Sequence, residues 1–301
     1  MRGRERERQG QAAAVGTFDG LHRGHNAVLA SLREEAAKHG LKPVVFTFDR
    51  HPLELIDPSR APKALLTPER KIELLKAAGV EPVVLPFDES LRGTTAADWM
   101  ERLHRDYGVK LLTVGYDNTF GSDGAEMSVG DYRRLGAKHG IVVVSAPFVE
   151  GVSSSAIRRS VSAGEVEKAA QMLGYPYRLE GIVVEGNHIG RTIGFPTANI
   201  EPDRRLVSPA HGVYAATAIL PDGERHPALL NIGLRPTVGQ NEKPTYEAHI
   251  PDWNGDLYGL PLAVELIRRL RDERSFGSLE ELRIQLEKDL DALHRLKRNK
   301  N

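Results

Sequence analysis

Ala12-Ala13-Ala14-Val15-Gly16-Thr17-Phe18-Asp19-Gly20-Leu21-His22-Arg23-Gly24-His25 runs from an apolar stretch through a glycine-bearing turn into a helix start. A short strand, a glycine turn and then a helix offers helix N-terminal N–H groups to a phosphate. His22 and His25 stand three apart, so they share one face of that helix start. Two imidazoles beside a triphosphate can donate hydrogen bonds to it and stabilise a departing pyrophosphate. The alternatives are a metal pair or two surface histidines, and no third ligand lies nearby in sequence. The stretch is not a P-loop, since the chain has no Gly-x-x-x-x-Gly-Lys.

Working outward, the first half alternates buried strands with helices. Val44 to Phe48, Val83 to Leu85, Leu111 to Val114 and Ile141 to Val144 read as strands. Thr67 caps a helix with Pro68 at its first position, and Gly79 closes it. Thr94 or Thr95 opens a second, closed at Gly108; Ser128 opens a third, closed at Gly140. Strands alternating with helices imply a parallel, doubly wound α/β sheet.

After Leu179 short segments alternate with turn residues: Gly181 to Glu185, Val213 to Leu220, Ala228 to Ile232, Thr245 to Ile250 and Leu262 to Ile267. That pattern reads as a small antiparallel barrel or sandwich. Asn254-Gly255 is a hairpin signal. Leu279, Leu282, Leu286, Leu290 and Leu293 fall at helical spacing between Ser278 and Leu296, predicting an amphipathic helix packed on the barrel. The boundary between halves falls near Gly174-Tyr175-Pro176-Tyr177.

The 301 residues suffice for two domains, with 40% hydrophobic and 27% charged residues. Lys+Arg and Asp+Glu both number 41, a balance that disfavours nucleic-acid binding. The absence of cysteine excludes disulfides, thiolate zinc sites and thiol nucleophiles. No run approaches the ~20 apolar residues of a membrane span. Met1 to Gln11 alternates Arg and Glu without an apolar signal core, so it reads as a frayed tail of a cytoplasmic protein.

Gly186-Asn187-His188-Ile189-Gly190-Arg191-Thr192-Ile193-Gly194-Phe195-Pro196-Thr197-Ala198-Asn199 carries glycine at every fourth position. That density reads as a loop whose backbone approaches a ligand closely. Thr197 and Asn199 supply short oxygen donors suited to a Mg²⁺–nucleotide. In Val152-Ser153-Ser154-Ser155-Ala156-Ile157-Arg158, serines cap a helix start and Arg158 follows one turn on, an anion clamp or an ordinary capped helix. Alternation along Tyr246 to Ile250 places Glu247 and His249 on one strand face.

The Gly186–Asn199 string closely resembles the signature of riboflavin kinases. From about Val15 to about Leu290 the chain is similar to the bacterial bifunctional riboflavin kinase/FAD synthetase family. His22-Arg23-Gly24-His25 matches the His-x-Gly-His signature of nucleotidylyltransferases, and Ser153 to Arg158 resembles their Ser-Ser-Ser/Thr-x-Ile-Arg. Phe48 to Pro52, Gly115 to Gly121, Asn231 to Thr237 and Leu270 to Phe276 resemble further family loops; in isolation the last is a charged turn. Departures are Gly151 for an arginine, Thr17 for an asparagine, Arg50 for a proline, Asn118 for a phenylalanine, and a short N-terminus.

The resemblance implies a Rossmann-like nucleotidylyltransferase domain over 1–176. It implies a riboflavin kinase β-barrel with a C-terminal helix over 177–301. It implies ATP-dependent phosphorylation of riboflavin to FMN, then adenylylation of FMN to FAD. In the first domain it gives phosphate roles to His22, His25 and Arg158, with Gly16, Phe18, Asp19, Gly24, Ser154 and Ser155 around ATP, and a flavin or nucleotide contact to Asp117. In the second, Gly186, Gly190, Arg191, Gly194 and Pro196 fold over ATP, and Thr197 and Asn199 hold Mg²⁺. Glu247 becomes the base, and Asn231, Arg271, Glu273 and Phe276 lie near the flavin. The expected partners are ATP, riboflavin and FMN, without nucleic acid or membrane, in a monomer or weak homo-oligomer. Three rival readings are a kinase whose first domain has decayed, motivated by Gly151 and the short N-terminus, a non-catalytic flavin sensor, and, on fold analogy alone, a pair of domains that handle a different nucleotide and alcohol.

Overall fold

A computed structural model describes residues 9–116, 120–186, 190, 193–234 and 244–298. The chain divides into two compact units, Met1–Ser154 and Ser155–Asn301.

In the first unit the order is β1 (Gln11–Val15), α1 (Arg23–Lys38), β2 (Lys42–Phe48), α2 (Leu53–Ile56), α3 (Pro68–Ala77), β3 (Glu81–Leu85), α4 (Glu89–Gly93), α5 (Ala96–Tyr107), β4 (Val109–Val114), α6 (Val129–Lys138) and β5 (Val142–Ser145). The strands form one parallel sheet in the order β3-β2-β1-β4-β5. Strand alternation separates two cores. Ala13 and Val15 of β1 face Trp99, Met100 and Leu103 of α5 and Tyr132 of α6. Ala12 and Ala14 face Leu29 and Leu32 of α1 and Leu75 of α3. The strand order reverses between β1 and β4, so their carboxyl ends open the crevice where such sheets bind ligands.

The helix signals read from sequence are realised. Thr67 Oγ1 accepts from Arg70 N–H, Thr95 rather than Thr94 caps α5, and Ser128 with Asp131 forms a capping box. Gly108 ends α5 in the left-handed region at φ 68°. Gln11 belongs to β1, so the tail read over Met1 to Gln11 is shorter; residues 1–8 lie outside the described residues.

The second unit begins with α7 (Ser154–Ser162), shared with the end of the first, and α8 (Val166–Leu173). Then come β6 (Arg178–Val184), β7 (Ala198–Pro202), β8 (Gly212–Ile219), β9 (Arg225–Leu234), β10 (Pro244–His249), β11 (Pro261–Arg271) and α9 (Leu279–Arg298). The strands close a barrel in the order β10-β7-β6-β11-β8-β9, antiparallel at the pairings given. Leu290, Leu293 and Leu296 of α9 cover Val213, Ala215 and Leu229 on one barrel face. Glu167 of α8 reaches Arg268 of β11 at 2.7 Å. By contact α8 therefore groups with the barrel, whereas the expected division at 176/177 joins it to the first half.

Three local readings differ from the structure. Asn254-Gly255 does not form a β10–β11 hairpin, because β10 pairs with β7 and β9 while β11 pairs with β6 and β8. Ala198 and Asn199, read as loop, open β7, held there by hydrogen bonding to β6 and β10. Leu270 and Arg271, which in isolation read as a turn, complete β11.

Candidate active sites

The first site sits in the β1–β4 crevice. The backbone after β1 turns through left-handed conformations at Phe18 (φ 47°), Gly20 (φ 81°) and Leu21 (φ 34°). Its strain is held by anchors. Asp19 carboxylate accepts Leu65 N–H at 2.9 Å, Ser154 Oγ donates to Asp19 O at 2.9 Å, and Thr47 Oγ1 donates to Thr17 O at 3.1 Å. Lys71 Nζ donates to Phe48 O at 2.8 Å, and burial lowers its pKa.

His22 caps α1, its Nδ1 accepting His25 N–H at 3.3 Å, which leaves the proton of the neutral ring on Nε2. The two rings stack with centroids 3.7 Å apart and 13° between planes. Burial, then the neighbouring His22, holds His25 well below the ordinary imidazole value of 6.5. Its buried Nδ1 has no hydrogen-bond partner, the condition of a polar atom that a ligand completes. A Cβ on Gly24 would sit 3.1 Å from the His22 ring, so glycine leaves that ring its place.

These residues line a cleft of about 240 Å³ with Gly16, Thr17, Phe18, Gly115, Tyr116, Pro147, Phe148, Val149, Val152, Ser153 and Ser154. Gly16, Phe18, Gly24 and Ser154, all expected around a nucleotide, are therefore brought together. Asp19 is not in the lining; its carboxylate pins the Leu65 backbone. Ser155 and Arg158 fall on α7 in the second unit. Gly151 adopts φ 73°, a left-handed backbone in which an arginine would be strained. Asp117 lies outside the described residues.

The second site is laid out by barrel register. Glu247 of β10 pairs with Asn199 of β7 on one side and Asn231 of β9 on the other. Asn231 pairs with Val213 of β8, and Val213 with Arg271 of β11. Opposed residues of antiparallel strands share a face, so one row of side chains crosses the strands. Beside it lies a cavity of about 290 Å³ lined by Glu247, His249, Thr197, Asn231, Arg271, Glu273, Arg274 and Phe276, with Gly190 and with Leu282 and Leu286 of α9.

The supports are specific. Arg271 Nη2 stands 2.9 Å from the carboxylate of Asp289, a residue 3% exposed on α9, and Gln285 Nε2 donates to the same carboxylate at 2.7 Å. Arg274 lies 4.7 Å over the Phe276 ring. The carboxylate of Glu273 lies where a Cβ on Gly233 would collide with it. His249 Nδ1 meets Pro196 O at 2.8 Å; a carbonyl only accepts, so Nδ1 carries the proton. Burial lowers the His249 pKa despite that bond. Gly190 O accepts from Ile193 and Phe195 N–H at 3.2 and 2.8 Å, folding the glycine-rich loop tightly. Gly186 stands against the Asn199 amide with no room for a Cβ, and Gly194 adopts φ 81°. Arg191 lies outside the described residues.

A second cavity of about 730 Å³ is lined by Val183, Pro196, Thr197, Trp253, Leu257 and Tyr258 among others, and Thr197 borders both cavities. No group of three or more His, Cys, Asp or Glu residues placed to hold a metal occurs among the described residues. Asn199 and Glu247 are instead amide and carboxylate side chains opposed in register, and the Thr197 hydroxyl residue lines the same cavity as Glu247, a donor set suited to a Mg²⁺ that takes most of its ligands from water and phosphate. Sequence reading missed Asp289, Lys71, Arg274, Trp253 and Tyr258. A charged residue on the leucine stripe of α9 is the signal that Asp289 offers; the others carry no local mark.

The FAD synthetase family model matches residues 4–159 and the riboflavin kinase family model residues 173–297. The bifunctional riboflavin kinase/FMN adenylyltransferase of Pseudomonas fluorescens is 38% identical over 299 residues, covering 96% of this chain and 94% of that protein. The protein so named in Escherichia coli K12 is 39% identical over 291 residues, covering 93% and 91%. A crystal structure described as a macrolide-efflux protein from Streptococcus pneumoniae has a TM-score of 0.85 and 31% identity, covering 95% of this chain and 94% of that one. Among the described residues of this chain, no helix is long and apolar enough to cross a membrane.

Proposed function

This chain belongs to the bifunctional riboflavin kinase/FMN adenylyltransferase family, and on that premise we propose how its two halves divide the chemistry. The protein converts riboflavin to FMN and FMN to FAD. ATP serves as phosphoryl donor in the second unit and as adenylyl donor in the first.

In the second unit Glu247 takes the proton of the ribityl 5′-hydroxyl as that oxygen attacks the γ-phosphorus of ATP. The new O–P bond forms, the β–γ bridge breaks and ADP leaves. The flavin occupies the cavity bordered by Glu247, Asn231, Glu273, Arg274 and Phe276, and ATP occupies the larger cavity across Thr197. Thr197 and Asn199 hold Mg²⁺, which when bound neutralises phosphate charge. Residues scattered from Gly190 to Leu286 line one small cavity, and this observation carries the reading.

In the first unit the FMN phosphate attacks the α-phosphorus of ATP, the α–β bridge breaks and pyrophosphate leaves. His22 and His25 donate hydrogen bonds to the departing phosphates, with Ser154 as a further phosphate contact. The partnerless Nδ1 of His25 supports this assignment. Positioning and charge stabilisation suffice, with no covalent enzyme intermediate. The substrates are small molecules handled in the cytoplasm by a monomer or weak homo-oligomer, and the equal charge counts of 41 and 41 speak against nucleic acid as a partner.

The test is one incubation with riboflavin, Mg²⁺ and excess ATP, resolving flavins by chromatography over time. FMN followed by FAD is the expected result. FMN that accumulates without FAD would favour the single-activity reading, and no FMN would overturn the kinase assignment and leave the sensor.

A further inference from the structure

The turn after β1 rests on a lysine that stands outside the cleft. Lys71 belongs to α3, is half-buried, and does not line the cleft that holds His22 and His25. Its Nζ donates to Phe48 O, at the end of β2, at 2.8 Å and to Thr17 O, in the turn, at 3.4 Å. Thr47 Oγ1 donates to the same Thr17 carbonyl. One ammonium therefore ties the carboxyl end of β2 to the turn that leaves β1. The charges of Asp19 and Asp49 favour that ammonium, while burial opposes it. Both carboxylates also hold backbone, Asp19 at Leu65 N–H and Asp49 at Phe87 N–H, each at 2.9 Å.

The left-handed stretch begins one residue beyond the Thr17 carbonyl. Phe18 and Leu21 carry side chains at positive φ, a backbone that persists only where its surroundings impose it. His22 follows at once as the cap of α1, and its Nδ1 receives His25 N–H. Both imidazoles thus inherit their places from the path of the turn. A half-buried ammonium gives up solvation, and the backbone that Lys71 holds accounts for its presence.

We propose that Lys71 is a positioning residue for adenylyl transfer. Its ammonium fixes the Thr17 carbonyl and, through the left-handed turn, sets the two imidazoles where the departing pyrophosphate needs them. This deepens the adenylyl-transfer reading and rests on it. The effect falls on rate rather than affinity, because the imidazoles act on charge that develops as pyrophosphate leaves. A displacement of about 1 Å is enough to slow such a step about a hundredfold.

The experiment uses the full chain carrying Lys71→Met or Lys71→Cys. FAD formation is measured with ATP and FMN varied in turn, at a temperature below the onset of unfolding seen by calorimetry, so that kcat refers to folded protein. Riboflavin phosphorylation is the control. Both variants should lose about tenfold to a hundredfold in kcat, with both KM values and the control reaction near wild type. The chain has no cysteine of its own, so bromoethylamine converts only the introduced thiol to a lysine-like amine. Protein shown by mass spectrometry to be fully modified should recover most of the lost kcat. An unchanged kcat in Lys71→Met, a loss confined to KM, or no recovery after modification would each overturn the positioning role. No FAD from the wild-type chain would sink the adenylyl-transfer reading and this proposal together, whereas FAD made by Lys71→Met at the wild-type rate sinks the proposal alone.

Discussion

Glu247 and His25 belong to different units, and their removal should part the two reactions. Glu247→Gln keeps the shape of the β10 side chain but removes the base, so FMN formation should fall about 10²- to 10⁴-fold while FAD formation from supplied FMN persists. His25→Ala should do the reverse. Parallel loss of both activities in either variant, read by flavin chromatography, would contradict the two-site assignment. The buried imidazoles also set a pH response. Burial lowers the pKa of His25 and His249, so below 6.5 the unfolded chain takes up these protons before the folded chain does. Their stabilising contribution is therefore complete above 6.5 and is lost as pH falls towards the depressed values. Thermal unfolding midpoints measured between pH 7.5 and 5.5 should drop, and the drop should be shallower in His25→Gln. A His25→Gln variant as acid-sensitive as wild type would refute the attribution.

At the scale of elements, α9 acts as a wall of the cavity beside Glu247 as well as a cover for the barrel. Leu290 and Leu293 pack on Val213, Ala215 and Leu229, while Leu282 and Leu286 face the cavity. Asp289 joins the two roles through Arg271. Asp289→Ala strands a largely buried guanidinium, which should cost about 3 kcal/mol of stability and lower riboflavin phosphorylation. Urea titration of the variant checks the first effect, and a midpoint unchanged from wild type would sink it. Helix starts at Thr67, Thr95 and Ser128 were legible because capping is a contact between neighbours in sequence. The β7 strand and the absent Asn254-Gly255 hairpin were not, because partners distant in sequence decide them. The site divides the same way. Glu247 and His249 were placed on one face by period-2 alternation, whereas the neighbours Asn199 and Asn231 follow only from barrel register. Asp289 was hidden because its partner Arg271 lies on another element.

For the whole molecule, the decisive property is that each unit closes its own core. Trp99, Met100 and Leu103 belong to a cluster of the first, and Val213, Leu229 and Leu293 to a cluster of the second. Leu103→Ala, at a fully buried position, should remove about 2–5 kcal/mol from the first unit alone. Calorimetry should then show an early transition that abolishes FAD formation and a later one that abolishes FMN formation; a single transition shifted as a whole would speak against separate folding. The same separateness has a hereditary consequence. Lesions in this gene should sort into two complementation groups, one for each core. A cell carrying one copy damaged at Leu103 and another damaged at Glu247 should grow without added flavin, because FMN released by the first product is substrate for the second.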